Sequence, residues 1–113
     1  MSADMKEYKG RALHLKDEIS YAEGAVVSKT ILKKEAGNLT LFAFDKGQGL
    51  SEHTSPFDAV VEVVEGEGSF IIDGEVKTVR EGEMIIMPAH IPHDVQAAQQ
   101  PFKMLLVMIR SER

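Results

Sequence analysis

The stretch Gly82-Glu83-Met84-Ile85-Ile86-Met87-Pro88-Ala89-His90-Ile91-Pro92-His93-Asp94-Val95-Gln96-Ala97 decides the fold. Its apolar run, Met84–Met87, is strand-sized and ends at Pro88, whose missing N–H and fixed φ stop a ladder. His90 lies between Pro88 and Pro92, in a stretch whose prolines punctuate the chain. A second short run, His93–Ala97, follows. Two short strands joined by a proline-bounded turn are therefore expected here.

Working outward, the same punctuation recurs. Apolar runs at Ala59–Val64, Ser69–Ile72, Glu75–Val79 and Met104–Ile109 are separated by Gly, Pro or Asp-Gly. Asp73-Gly74 between Phe70-Ile71-Ile72 and Val76 predicts a two-residue hairpin, because a type I′ turn needs positive φ at both central positions. Alternation places Leu39, Leu41 and Ala43 on one strand face and Thr40, Phe42 and Phe44 on the other. Both faces are mostly apolar, so both must be covered. No amphipathic run long enough for a stable helix is present. Many short strands in about a hundred residues predict an all-β sandwich or small barrel.

Composition bounds the function. The chain has 113 residues, a net charge of −5, no cysteine and four histidines. One domain is expected, burying a little over 60% of its extended-chain surface. Disulfides, a thiolate nucleophile and a zinc ribbon are excluded, and histidine becomes the soft metal ligand to consider. The acidic balance argues against nucleic acid as a partner. The small basic cluster Lys29, Lys33 and Lys34 reads as a solvated strand end. No apolar run approaches the roughly 18 residues of a membrane-spanning helix. The polar start, MSADMKEYKG, lacks an apolar signal region, and a cytoplasmic location is expected.

Two spacings carry more. The first is Gly47-x5-His53-x-Ser55-x3-Ala59-x6-Gly66, and the second is Gly82-x5-Pro88-x-His90-x2-His93-x3-Ala97. From about Ala25 to Ile109 this frame resembles the cupin superfamily, whose two motifs read Gly-x5-His-x-His-x3-4-Glu-x6-Gly and Gly-x5-Pro-x-Gly-x2-His-x3-Asn. The resemblance implies a double-stranded β-helix (an RmlC-like jelly-roll barrel) of six to eight strands over residues 25–113. Residues 1–24 are then an N-terminal segment, partly strand and placed in a dimer contact. It also implies a homodimer, in keeping with strands apolar on both faces.

By position, His53 and His93 match the first and last metal-binding histidines of the family. Ser55 stands at the second histidine, Ala59 at the glutamate, His90 at the turn glycine and Ala97 at the terminal asparagine. A Zn, Mn, Fe or Ni ion on His53 and His93 is thus expected to be weakly held, with His90 the less favoured third ligand. Strand alternation from Ala59 puts Val61 and Val63 on its face and Glu62 outward. Asp58 and Glu52 are out of phase with the inward positions.

The expected ligand is a small organic molecule in the barrel mouth, touching His53, Ser55, Phe57 and His93. Met84 and Met87 are weighed as cavity lining against gap-filling core. A metal-dependent cupin enzyme of dioxygenase, isomerase or decarboxylase type is the alternative. Metal-free acid–base chemistry of the epimerase kind is disfavoured, since Tyr8 and Tyr21 precede the barrel. His14 is expected at an edge or interface.

Overall fold

The computed structural model describes residues 8–110. A 3-10 turn, Leu15–Asp17, precedes β1 (Val26–Lys34), β2 (Gly37–Phe44), β3 (Gly49–His53), β4 (Phe57–Ile72), β5 (Glu75–Arg80), β6 (Met84–Met87), β7 (His93–Gln96) and β8 (Phe102–Arg110). All the pairings are antiparallel. They run in the order β1-β2-β8-β4-β7-β3, with β5 and β6 also pairing with β4.

Strand β4 makes the closure. Its first half pairs with β8 and β6, and its second half with β7 and β5. The sequence predicts two strands here, Ala59–Val64 and Ser69–Ile72, but one 16-residue strand spans both. A register shift between Val63 and Glu65, and Gly66 at φ +79°, let it bend from one sheet into the other without ending. The Asp73-Gly74 hairpin forms as expected, with φ of 51° and 82°. His90, at φ 69°, also takes the positive value anticipated for its turn.

The interior is aromatic at its centre. Phe44 and Phe102 stack with ring centroids 4.8 Å apart, and Phe70 meets Phe102 edge-on at 5.9 Å. Ala59, Val61, Val63, Val95 and Met104 fill the space around them, all essentially inaccessible. Glu62 is exposed, in keeping with the alternation.

The other face of β2 is covered as well. Leu41 and Ala43 are buried with Ile19 and Ile31, and Tyr8, Leu13, Leu15 and Tyr21 pack against them. Residues 8–24 thus lie across the outer sheet face as a strap of turns, and the expected strand character is absent from these described residues. Polar anchors hold the strap down. The Tyr21 hydroxyl donates to Glu65 Oε2 at 2.6 Å, and the buried Lys103 ammonium donates to the Lys16 carbonyl at 2.6 Å. Lys29 donates to the Glu18 carbonyl at 2.9 Å. It therefore anchors the strap, whereas Lys33 and Lys34 lie at an exposed strand end.

Candidate functional site

His53 ends β3 and His93 begins β7, and the ladder sets the two opposite each other. Their rings meet edge to face with centroids 4.6 Å apart. His93 is buried at 3% exposure while His53 is exposed, so the pair runs from the barrel wall to the mouth.

Each imidazole is oriented by its own strand. His53 Nδ1 lies 2.7 Å from the Ser51 carbonyl, and His93 Nδ1 lies 3.0 Å from the Ile91 carbonyl. A carbonyl only accepts, so both Nδ1 atoms carry the proton. In the neutral tautomer Nε2 is then the acceptor on both rings, the arrangement that carbonyl partners favour in ligand histidines.

The pocket beside them has a volume of about 40 Å³ and is lined by Leu50, His53, Ala59, Met87, His93, Val95, Met104, Leu106 and Met108. That is room for a few water-sized groups, far short of the roughly 300 Å³ at which sites for drug-sized ligands begin. A larger molecule would keep most of its bulk at the open mouth.

Of the residues singled out from sequence, His53, His93 and Ala59 are brought together, and Ser55, Phe57 and His90 are not. Ser55 Oγ accepts from the Phe57 N–H at 3.0 Å, a local loop bond that turns the hydroxyl onto its own backbone. Phe57 does not line the pocket, and the Arg110 guanidinium stands over its ring at 5.3 Å. His90 is exposed on its turn and belongs to a clasp: its N–H donates to the Ser55 carbonyl at 2.8 Å, and the Ala89 N–H donates to Asp58 Oδ1 at 2.9 Å. Among the described residues no group of three or more His, Asp or Glu side chains is assembled to hold a metal. The donor set therefore does not fit the three-ligand divalent site that the family frame implies.

Met87 lines the pocket, whereas Met84 is 63% exposed. Leu50, Met104, Leu106 and Met108 are additions that sequence reading missed. Strand β8 is apolar on both faces, so its alternation does not say which residues look inward. The signal that would have found them is the register with Ala59, which pairs with Met87 on one side and Met108 on the other. Tyr21 lies with the strap on the outer face, remote in the fold from both histidines, and His14 is exposed beside Asp17.

A barrel of eight antiparallel strands with a histidine pair at its mouth is the architecture of the cupins, and residues 40–108 match the cupin domain family. The chain belongs to that family. A conserved protein of unknown function from Streptococcus pyogenes is similar at 36% identity and a TM-score of 0.85, covering 92% of this chain and 90% of that one. A cupin 2 conserved barrel domain protein from Leptotrichia buccalis is similar at 40% identity and the same TM-score; the match spans 87% of this chain but only 47% of that longer one. A cupin superfamily protein from Desulfitobacterium hafniense follows at 25% identity and a TM-score of 0.84, covering 91% of this chain and 94% of that one. No curated protein matches the sequence. Among the described residues, no helix is long and apolar enough to cross a membrane.

Proposed function

We propose that this cupin is a cytoplasmic small-molecule-binding barrel that takes a small, largely apolar organic molecule bearing an O–H or N–H donor. The carrying observation is the histidine pair, whose two Nδ1 atoms are held by Ser51 and Ile91 carbonyls so that two Nε2 acceptors remain for a ligand. Aliphatic and thioether groups supply non-directional burial, and the two acceptors supply orientation. The donor end of the ligand would sit against the imidazoles, with the apolar body between the mouth and Leu50.

The alternative, a metal-dependent cupin enzyme, asks for a third donor of carboxylate or imidazole type. The Ser55 and Asp58 side chains accept from backbone N–H groups, His90 is exposed on its turn and outside the pocket lining, and Ala59 has no donor. The small-molecule reading therefore has the better support.

Phenol and anisole are suitable probes, since they differ in the donor and little in shape. Phenol should shift the ring carbon-bound proton signals of His53 and His93, and anisole should bind about 5- to 10-fold more weakly for want of one hydrogen bond. His93→Ala should remove the difference between the two probes. Equal binding of both by the native protein, or phenol binding without histidine shifts, would overturn the reading.

A further inference from the structure

The lining of the pocket is chemically uneven. Its nitrogen donors come from β3 and β7, and the opposite wall holds three thioethers, Met87, Met104 and Met108. Two of these are placed by the ladder itself: Ala59 pairs with Met87 on β6 and with Met108 on β8. Cross-strand partners stand about 5 Å apart and share a face, so Met87 and Met108 flank Ala59 in one row. The small methyl of Ala59 leaves the space between the two longer side chains open. Met104 is fully buried two steps further along the same face of β8, beyond Leu106.

Thioether sulfur is a soft, neutral donor. Together with neutral imidazole it selects monovalent soft ions such as Cu(I), and it serves Zn²⁺ or Mn²⁺ poorly, because those ions want carboxylate, thiolate or a third nitrogen. A dry apolar pocket also favours a singly charged ion over a doubly charged one, since the desolvation cost rises with the square of the charge. The volume of about 40 Å³ has room for a single ion among these side chains. Methionine, unbranched and with three rotatable bonds, can swing its sulfur toward an ion without moving the barrel.

We propose that His53, His93 and the methionines flanking Ala59 form a soft-metal site selective for Cu(I) over divalent ions. The proposal shares the Nε2 orientation with the small-molecule reading, and needs the methionines in addition.

The test is anaerobic titration of the full-length protein with Cu(I) in competition with a chromogenic chelator, with Zn²⁺ and Mn²⁺ measured in parallel. One equivalent of Cu(I) should bind at least about 100-fold more tightly than either divalent ion, in line with donor softness. Methionine-to-leucine exchange is close to volume-conserving and keeps the barrel folded. Met87→Leu/Met108→Leu should weaken Cu(I) by about 10-fold or more, while Met84→Leu, on the exposed surface, should change nothing.

Methyl-carbon spectra with Ag(I), a redox-inert probe of the same softness, should move the Met87 and Met108 methyls and spare Met84. Cu(I) binding no tighter than Zn²⁺, binding indifferent to the Met87/Met108 double exchange, or Ag(I) shifts confined to Met84 would overturn the proposal. Phenol discrimination retained in the methionine double variant, alongside lost Cu(I) binding, supports the soft-metal site while leaving the small-molecule reading intact. Cu(I) binding that fails in the native protein overturns the soft-metal site alone, because the phenol test does not use the methionines.

Discussion

Gly68 lies under the Phe102 ring, and a Cβ built there would stand 2.7 Å from both Cε atoms of that ring. Phe102 has no free volume to retreat into, being stacked on Phe44 and met edge-on by Phe70. Gly68→Ala should therefore destabilise the fold by about 1–3 kcal/mol, the usual cost of overpacking a dense core. A urea melt should show a lower midpoint with an unchanged slope. Adding Phe102→Leu should recover part of the loss relative to Phe102→Leu alone, as expected of two residues in direct contact. A native midpoint for Gly68→Ala would show that the ring can move.

Residue by residue, the legible part of the site was what strand periodicity governs. Counting in twos from Ala59 placed Val61 and Val63 inside and Glu62 outside, because one rule holds along an unbroken strand. Ser55 was placed by the motif frame and Phe57 by its loop setting, and neither lines the pocket. They precede or begin β4, where the Ser55 Oγ bond to the Phe57 N–H sets the direction of the chain. A motif frame counts residues along the chain and does not see such a bond.

At the scale of elements, the strap is the part that sequence concealed. Beyond the short alternation Ala12-Leu13-His14-Leu15, residues 8–24 carry no sustained periodicity, since their contacts come from turns and from scattered side chains such as Leu13, Leu15 and Ile19. Its chemistry gives a pH signature. The Tyr21 phenol is pushed well above its ordinary value of 10.0, first by burial and then by the hydrogen bond to Glu65 and the charge on that carboxylate.

A raised phenol pKa means that the folded state keeps the proton longer than the unfolded chain does. The stabilisation is fully present below the unfolded value and is lost as pH rises beyond it. The melting temperature of the native protein should thus begin to fall as pH rises past about 10, the unfolded tyrosine value, and keep falling above it. Tyr21→Phe should be less stable by about 1–2 kcal/mol at neutral pH, having lost a hydrogen bond to a charged acceptor, and its alkaline decline should be shallower. Parallel alkaline limbs in the two proteins would mean that the Tyr21 proton is not linked to folding.

At the scale of the whole molecule, the strap changes what a partner has to cover. Strands apolar on both faces implied an external partner, yet Leu41 and Ala43 are already buried by the same chain. What stays open is the next row across the sheet. Leu32 pairs with Leu39, Leu39 with Val107, Val107 with Val60 and Val60 with Ile86, so five strands contribute one continuous apolar line. Ile86 is 52% exposed on β6, at the sheet edge, and Met84 and Ile109 on the same face are exposed too.

We propose that a second copy of the chain covers this row, since an apolar row can bury itself against its own copy about a two-fold axis. Ile86→Glu should then convert a dimer into a monomer in size-exclusion chromatography with light scattering. Its melting temperature at low concentration should stay close to native, because the side chain points outward and contributes little to the barrel core. An unchanged mass in Ile86→Glu, or a native chain that is monomeric at high concentration, would remove the dimer. The strap would then suffice as the cover for this sheet, and the row from Leu32 to Ile86 would stand as ordinary apolar surface.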